Sequence, residues 1–159
     1  MKGETTFLKI VIFLMGLIML GFCIVIVPHY LIGANNVMSN WPILTDLLGA
    51  GMYLAAIVFY LVLYQGYRLL KMIDHKSAFS NVAVQALRWI KIEAYTICGL
   101  MILELPIFYI FADRDDSPGM LLVGIVFAGA PLVIAIFASV LQKLLHQAIE
   151  IKAENDLTI

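Results

Sequence analysis

The chain has 159 residues, of which 63% are apolar and 13% charged, with a net charge of −1 and a mean hydropathy of +0.99. A soluble domain of this size could not bury so much apolar surface, because its surface-to-volume ratio is unfavourable. The small net charge and the lack of a basic block exclude disordered and nucleic-acid-coating proteins. The composition therefore indicates an integral membrane protein of one domain, residues 1–159.

Four stretches are long and apolar enough to cross the hydrocarbon core of a bilayer, which takes about 20 residues. They cover residues 7–27, 45–67, 92–111 and 120–141. The first is expected to end at Pro28, since proline disfavours a continuing helix. Its length and the presence of Lys9 argue against a cleaved signal peptide. The fold class is therefore an all-α bundle of four transmembrane helices.

The distribution of lysine and arginine predicts the orientation of this bundle. Nine of the ten basic residues lie near the N-terminus, in the loop 68–91 or in the tail 142–159, whereas Arg114 alone lies on the other side. Basic residues are retained in the cytoplasm, so both termini are predicted to be cytoplasmic. On the outer side, Tyr30 and Trp41 are interpreted as interfacial anchors, where amphipathic rings are common.

Two cytoplasmic segments are predicted to be helical extensions of the bundle. Ser80 is suited to cap a helix that begins near Asn81 and continues into the third crossing. The fourth crossing is expected to continue as an amphipathic stem that stops near Asn155. The candidate residues for contact with a partner are Phe79, Asn81, Arg88, Glu154, Asn155, Asp156, Leu157 and Ile159. Alternatively, Leu157 and Ile159 pack back on the bundle as a structural clasp.

Glu104 is an ionisable residue within the predicted hydrocarbon, which makes it costly and a candidate functional group. Glu93 lies eleven residues earlier and therefore on the same helical face, near the inner surface. Tyr53 and Tyr60 belong to a tyrosine stripe on the second crossing, with Tyr53 at the depth of Glu104. We predict that the second and third helices are neighbours and that the Tyr53 hydroxyl donates to the Glu104 carboxyl group. The alternative is aromatic packing beside a structural Glu104.

Small residues follow one side of the fourth crossing and predict a close-packed seam. They are Gly124, Ala128, Pro131, Ala135 and Ala138. This seam joins helices within the bundle or, alternatively, forms a homo-oligomer interface. No cofactor is expected, because the histidines and cysteines lack the positions of haem, zinc or redox ligands. The chain also lacks a phosphate-binding loop and a catalytic triad, so an enzyme is not expected.

Two segments carry a resemblance to a known family. The sequence Lys76-Ser77-Ala78-Phe79-Ser80-Asn81-Val82, followed by Leu87-Arg88 and Ile90, resembles the middle loop of the DUF2975 family, and residues 148–159 are similar to its C-terminus. The resemblance implies a small protein of the bacterial cytoplasmic membrane with no assigned activity. Members are often encoded beside a small helix-turn-helix regulator of the Cro/CI type, which implies a cytoplasmic partner of that kind.

The leading hypothesis is a sensor or regulatory protein whose bundle responds to a membrane or extracellular condition. Its cytoplasmic helices would then contact a protein partner, with no direct contact to nucleic acid. One alternative is an immunity protein that protects against membrane-active peptides through its outer loops and Trp41. Another is a small channel or carrier that uses Glu104 as its ion or proton site.

Overall fold

A computed structural model describes residues 2–158 of the chain as helices joined by short turns. The elements are α1 (Lys2–Gly21), a π-helical turn (Phe22–Ile26), α2 (Val27–Val37), α3 (Pro42–Asp74), α4 (Asn81–Arg114) and α5 (Pro118–Leu157). The elements α1, the π-helical turn and α2 follow one another without a gap and form one rod, which we call the first rod. The first rod and α3, α4 and α5 are each long and apolar enough to cross a membrane. The predicted all-α fold with four membrane-spanning helices is confirmed.

The first rod does not end at Pro28, where the sequence predicts a stop, but continues to Val37. The π turn explains the difference. The N–H of Val27 donates to the carbonyl oxygen of Phe22, five residues back instead of four. Proline lacks an N–H, and its ring crowds the carbonyl of the preceding turn, so a widened turn just before Pro28 lets the helix continue. The predicted outer loop 28–45 therefore shrinks to residues 38–41.

Helix α4 packs along α3 on one side and along α5 on the other, while the first rod packs mainly on α3. The predicted neighbourhood of the second and third crossings is confirmed. Gly124 and Ala128 of α5 are buried, as are Ala135 and Ala138. A Cβ added to Gly124 would lie 3.0 Å from Cγ of Phe108 on α4. The small residues therefore form a packing seam between α4 and α5.

The core at the end of the bundle remote from the chain termini, which is the predicted outer end, contains α2 as well as α3 and α4. Its buried members are Ala34, Met38, Leu48, Ile107, Phe108 and Phe111. The guanidinium carbon of Arg114 lies 4.9 Å from the Trp41 ring centroid, so the turn 38–41 is also held by a cation–π contact. Ala34 and Met38, which lie in the predicted outer loop, are thus buried members of this core.

At the opposite end, the start of α1 is attached to the last turn of α3. Asp74 forms an ion pair with Lys9 and accepts a hydrogen bond from the Thr5 hydroxyl. The Lys9 ammonium also lies 5.9 Å from the centroid of the Tyr67 ring. We call this the basic end, since it holds nine of the ten basic residues.

Both predicted helical extensions are present at the basic end. Ser80 Oγ accepts from the N–H of Ala83 at 3.3 Å, so the predicted N-cap is confirmed. Helix α5 continues two residues past the predicted stop at Asn155.

Candidate functional site: a buried carboxyl group, an apolar cavity and a basic groove

Glu104 lies at the interface of α4 with α3 and is only 5% exposed. Its carboxyl group occupies the space left by the missing side chain of Gly51, since a Cβ added there would overlap Glu104 Oε1. Neither carboxyl oxygen has a hydrogen-bond partner within residues 2–158. A buried polar group without a partner is costly, so this arrangement is a functional candidate on physical grounds.

The predicted hydrogen bond from Tyr53 to Glu104 is wrong. The Tyr53 hydroxyl donates to the carbonyl oxygen of Cys23 at 3.1 Å. Gly51 lies on the side of α3 that faces Glu104 of α4. Tyr53 comes two residues later, which is a rotation of about 200° around the helix, so its side chain faces away from α4. The Tyr60 hydroxyl likewise donates to the carbonyl oxygen of Gly16 at 2.8 Å. Tyr53 and Tyr60 of the stripe therefore fasten α3 to the first rod, with Tyr53 on the π turn.

Tyr30, predicted to be an interfacial anchor, packs in the core beside Glu104. Its ring centroid lies 5.3 Å from that of Phe111 and 6.2 Å from that of Phe108, on the face of α4 that also carries Glu104. Its hydroxyl is buried without a hydrogen-bond partner in the described residues. No sequence signal places it there, because its position depends on the continuation of the helix through Pro28.

Glu93 is buried on the same side of α4 as Glu104, as their spacing predicts, and is 9% exposed. Its Oε2 has no hydrogen-bond partner in the described part of the chain, and neither has Oε1 of Gln65 on α3. The packed face of α4 therefore carries two carboxyl groups whose hydrogen-bonding capacity is unused. Such groups can take up a proton or accept a hydrogen bond from a ligand.

An apolar cavity of about 270 Å³ lies between the first rod and α5, beside the π turn. Its walls contain Met19, Phe22, Cys23 and Val27 from the first rod, Met52, Ala55, Ala56, Phe59 and Val62 from α3, Ala94, Ile97 and Met101 from α4, and Phe127, Ala130, Pro131 and Ile134 from α5. A pocket with apolar walls suits an apolar ligand. The sequence does not predict this cavity, because its walls combine residues from four helices that are far apart in the chain.

A second cavity, of about 510 Å³, lies at the basic end, and we call it the basic groove. It is lined by Tyr64, Tyr67, Arg68, Lys71, Met72, His75, Ser77 and Val82. Its basic residues predict the orientation of the bundle, but their sequence positions alone do not predict a groove.

The predicted partner-contact residues lie on two segments at the basic end, the start of α4 and the end of α5. Phe79 is 58% exposed, and Asn81 and Arg88 are exposed at the start of α4. Residues 154–157 are exposed at the end of α5, and Leu157 is 87% exposed. The clasp alternative is therefore wrong for Leu157, while Ile159 lies outside the described residues.

Comparison with known proteins places the chain in a family. The family described as Protein of unknown function (DUF2975) matches residues 3–159. The chain belongs to this family. It is 44% identical over 158 residues to the uncharacterised membrane protein YoaS of Bacillus subtilis, a match that covers 99% of each chain. No solved structure matches. This DUF2975 protein is thus a small bacterial membrane protein, and neither description assigns an activity.

Proposed function

We propose that this DUF2975 protein is a non-enzymatic sensor of the bacterial cytoplasmic membrane that regulates a cytoplasmic protein, with both termini in the cytoplasm. The observation that carries the proposal is the free tip of α5, by which we mean residues 150–158. Every residue of the tip is exposed. The tip continues α5 without a break as far as Leu157.

The tip extends well beyond the part of α5 that packs in the bundle. A helix of 40 residues is about 60 Å long, twice the roughly 30 Å of the hydrocarbon core. The last fully buried residue of α5 is Ala138, and Leu145, Ala148 and Ile149 are half-buried. Beyond them Ile151 is 66% exposed. Exposed apolar residues on a free helix favour contact with a protein.

The charge of the tip favours a basic partner. It carries Glu150, Glu154 and Asp156 against Lys152, and Glu150 lies 3.2 Å from Nε2 of His146 in the preceding turn. Proteins that bind DNA carry basic surfaces, which an acidic helix complements. We therefore propose as the partner of the tip the small helix-turn-helix regulator that the family resemblance implies.

The contacts of the first rod support the proposal that the membrane-spanning helices sense a change in the bilayer. This rod exposes most of its apolar residues, and it is held to α3 by the Tyr53 and Tyr60 hydrogen bonds and by the Lys9–Asp74 ion pair. Beside it lies the apolar cavity. A change in the bilayer that shifts the first rod would therefore act on the basic end through Lys9 and Asp74.

Site-specific photo-crosslinking in cells tests the partner proposal. A photoreactive amino acid replaces Ile151 in the tip, and the matched control replaces Leu122, which is also exposed on α5 but lies at the outer end. The regulator is expected in adducts from position 151 and not in adducts from position 122. Equal capture at both positions, or co-purification of the regulator after deletion of residues 150–159, contradicts the proposal.

A carrier function is the second candidate, favoured by the two unpartnered oxygens of Glu104. It predicts that Glu104→Gln abolishes proton or cation flux into proteoliposomes containing the purified chain. Flux that is absent from the wild type, or unchanged in Glu104→Gln, removes this candidate.

A further inference from the structure

The basic groove is formed by one face of α3 and the start of α4. Five of its residues lie on α3, and His75 caps the end of that helix. They fall one helical turn apart, at 64, 67/68, 71/72 and 75, and therefore share a helical face: Tyr64, Tyr67, Arg68, Lys71, Met72 and His75. Ser77, in the turn, and Val82, in the first turn of α4, close the other side. The groove thus combines cationic, hydroxyl and apolar side chains.

Arg68 and Lys71 of the groove form no ion pair in the described part of the chain. In residues 2–158, the ion pairs join Lys9 to Asp74 and His146 to Glu150, and neither involves Arg68 or Lys71. Asp74 is the acidic residue nearest to them in sequence, and its carboxylate is engaged by Lys9 and Thr5. Both Arg68 and Lys71 are exposed, so their charges are available to an anion.

The groove lies at the predicted surface of the bilayer. Tyr67 is the last residue of the predicted second crossing, and Arg68 and Lys71 follow within the next turn. Tyrosine rings favour the headgroup level, with the hydroxyl toward water. The N-terminus of α4, which begins at Asn81, adds positive partial charge on the far side of the groove. The side chains therefore match a ligand that is anionic on its water side and apolar on its bilayer side.

We propose that the basic groove binds the headgroup of an anionic phospholipid, with the phosphate held by Arg68 and Lys71. Basic pockets between transmembrane helices are known to bind lipid headgroups, and each nearby lysine or arginine strengthens attachment to an anionic membrane. The apolar Met72 and Val82 and the rings of Tyr64 and Tyr67 favour a lipid over a soluble anion. This site is independent of the partner proposal, because binding is measured on the purified chain alone.

Native mass spectrometry of the full chain in detergent tests the site with two probes, phosphatidylglycerol and phosphatidylcholine with identical acyl chains. The wild type is expected to retain phosphatidylglycerol about 25-fold better, since two basic residues act together. Arg68→Gln with Lys71→Gln should abolish this preference, since each residue contributes about a fivefold gain in attachment. The matched control, Lys143→Gln with Lys152→Gln, removes the same charge from α5 outside the groove and should keep it.

A second variant keeps the site testable if the double variant does not fold. Val82→Trp fills the groove without changing its charge and should also abolish the preference. Equal retention of both lipids by the wild type overturns the proposal, and so does an equal loss in the groove and control variants. Displacement of phosphatidylglycerol by millimolar inorganic phosphate would assign the groove to soluble anions instead.

Discussion

At Gly51 the absence of a side chain makes room for a carboxyl group. Glu104 projects from α4 into the space on α3 that a Cβ of residue 51 would occupy. The large side chain of Glu104 therefore fits only because Gly51 has none. Helical periodicity alone predicts that Glu93 and Glu104 share the packed face of α4. It does not predict which residue of α3 faces Glu104, because that depends on the rotation of each helix within the bundle.

Gly51→Ala is expected to destabilise the bundle by about 1–3 kcal/mol, because the added methyl group would overlap the Glu104 carboxyl group. The measurement is the free energy of unfolding in mixed micelles. In a Glu104→Ala background the same substitution should cost nothing, since the space is then empty. Gly99→Ala on α4, where an added Cβ meets nothing within 4 Å, is the control. An equal cost of Gly51→Ala in both backgrounds contradicts this packing.

The π turn is the element that decides how the first rod sits on the bundle. It carries the helix through Pro28, brings Tyr30 to Phe111, and contains the carbonyl group that Tyr53 contacts. The sequence predicts the apolar crossing but not this turn. Proline in a helix interior favours a helix end. The structure continues through Pro28 by means of the π turn, and Ala34 of α2 then packs in the core.

Tyr53→Phe removes the hydrogen bond to the π turn and should lower the free energy of unfolding by about 0.6 kcal/mol, a typical value for such bonds between membrane helices. Tyr60→Phe should have an effect of similar size. Tyr64→Phe is the matched control, since the structure shows no hydrogen bond from the Tyr64 hydroxyl within residues 2–158. If all three variants unfold alike, the tyrosine hydroxyls do not fasten the first rod.

Lys9→Asp should loosen the start of α1, because it replaces the ion pair with Asp74 by two like charges. The expected loss is about 1 kcal/mol, the upper range for a pair that water partly screens. The exchanged variant, Lys9→Asp with Asp74→Lys, should regain most of it, as measured by the unfolding midpoint. Failure of the exchange to regain stability would show that the ion pair does not attach the two helices.

On the scale of the whole molecule, the four crossings and the helical extensions at the basic end could be predicted from apolar length, from helical periodicity and from capping at Ser80. The apolar cavity and the basic groove could not be predicted. Each combines residues from separate helices, and helical periodicity does not determine how separate helices pack together. The functional account depends on one property of the whole chain. The basic end, with the tip of α5, must face the cytoplasm.

Cysteine labelling in protoplasts measures this orientation directly. Asn36→Cys and Glu154→Cys are made separately in a chain that also carries Cys23→Ala and Cys98→Ala, and a membrane-impermeant maleimide is added before or after lysis. Both positions are exposed, on α2 and in the tip of α5. We predict labelling at position 36 in intact protoplasts and at position 154 only after lysis. Labelling at position 154 in intact protoplasts would contradict the account.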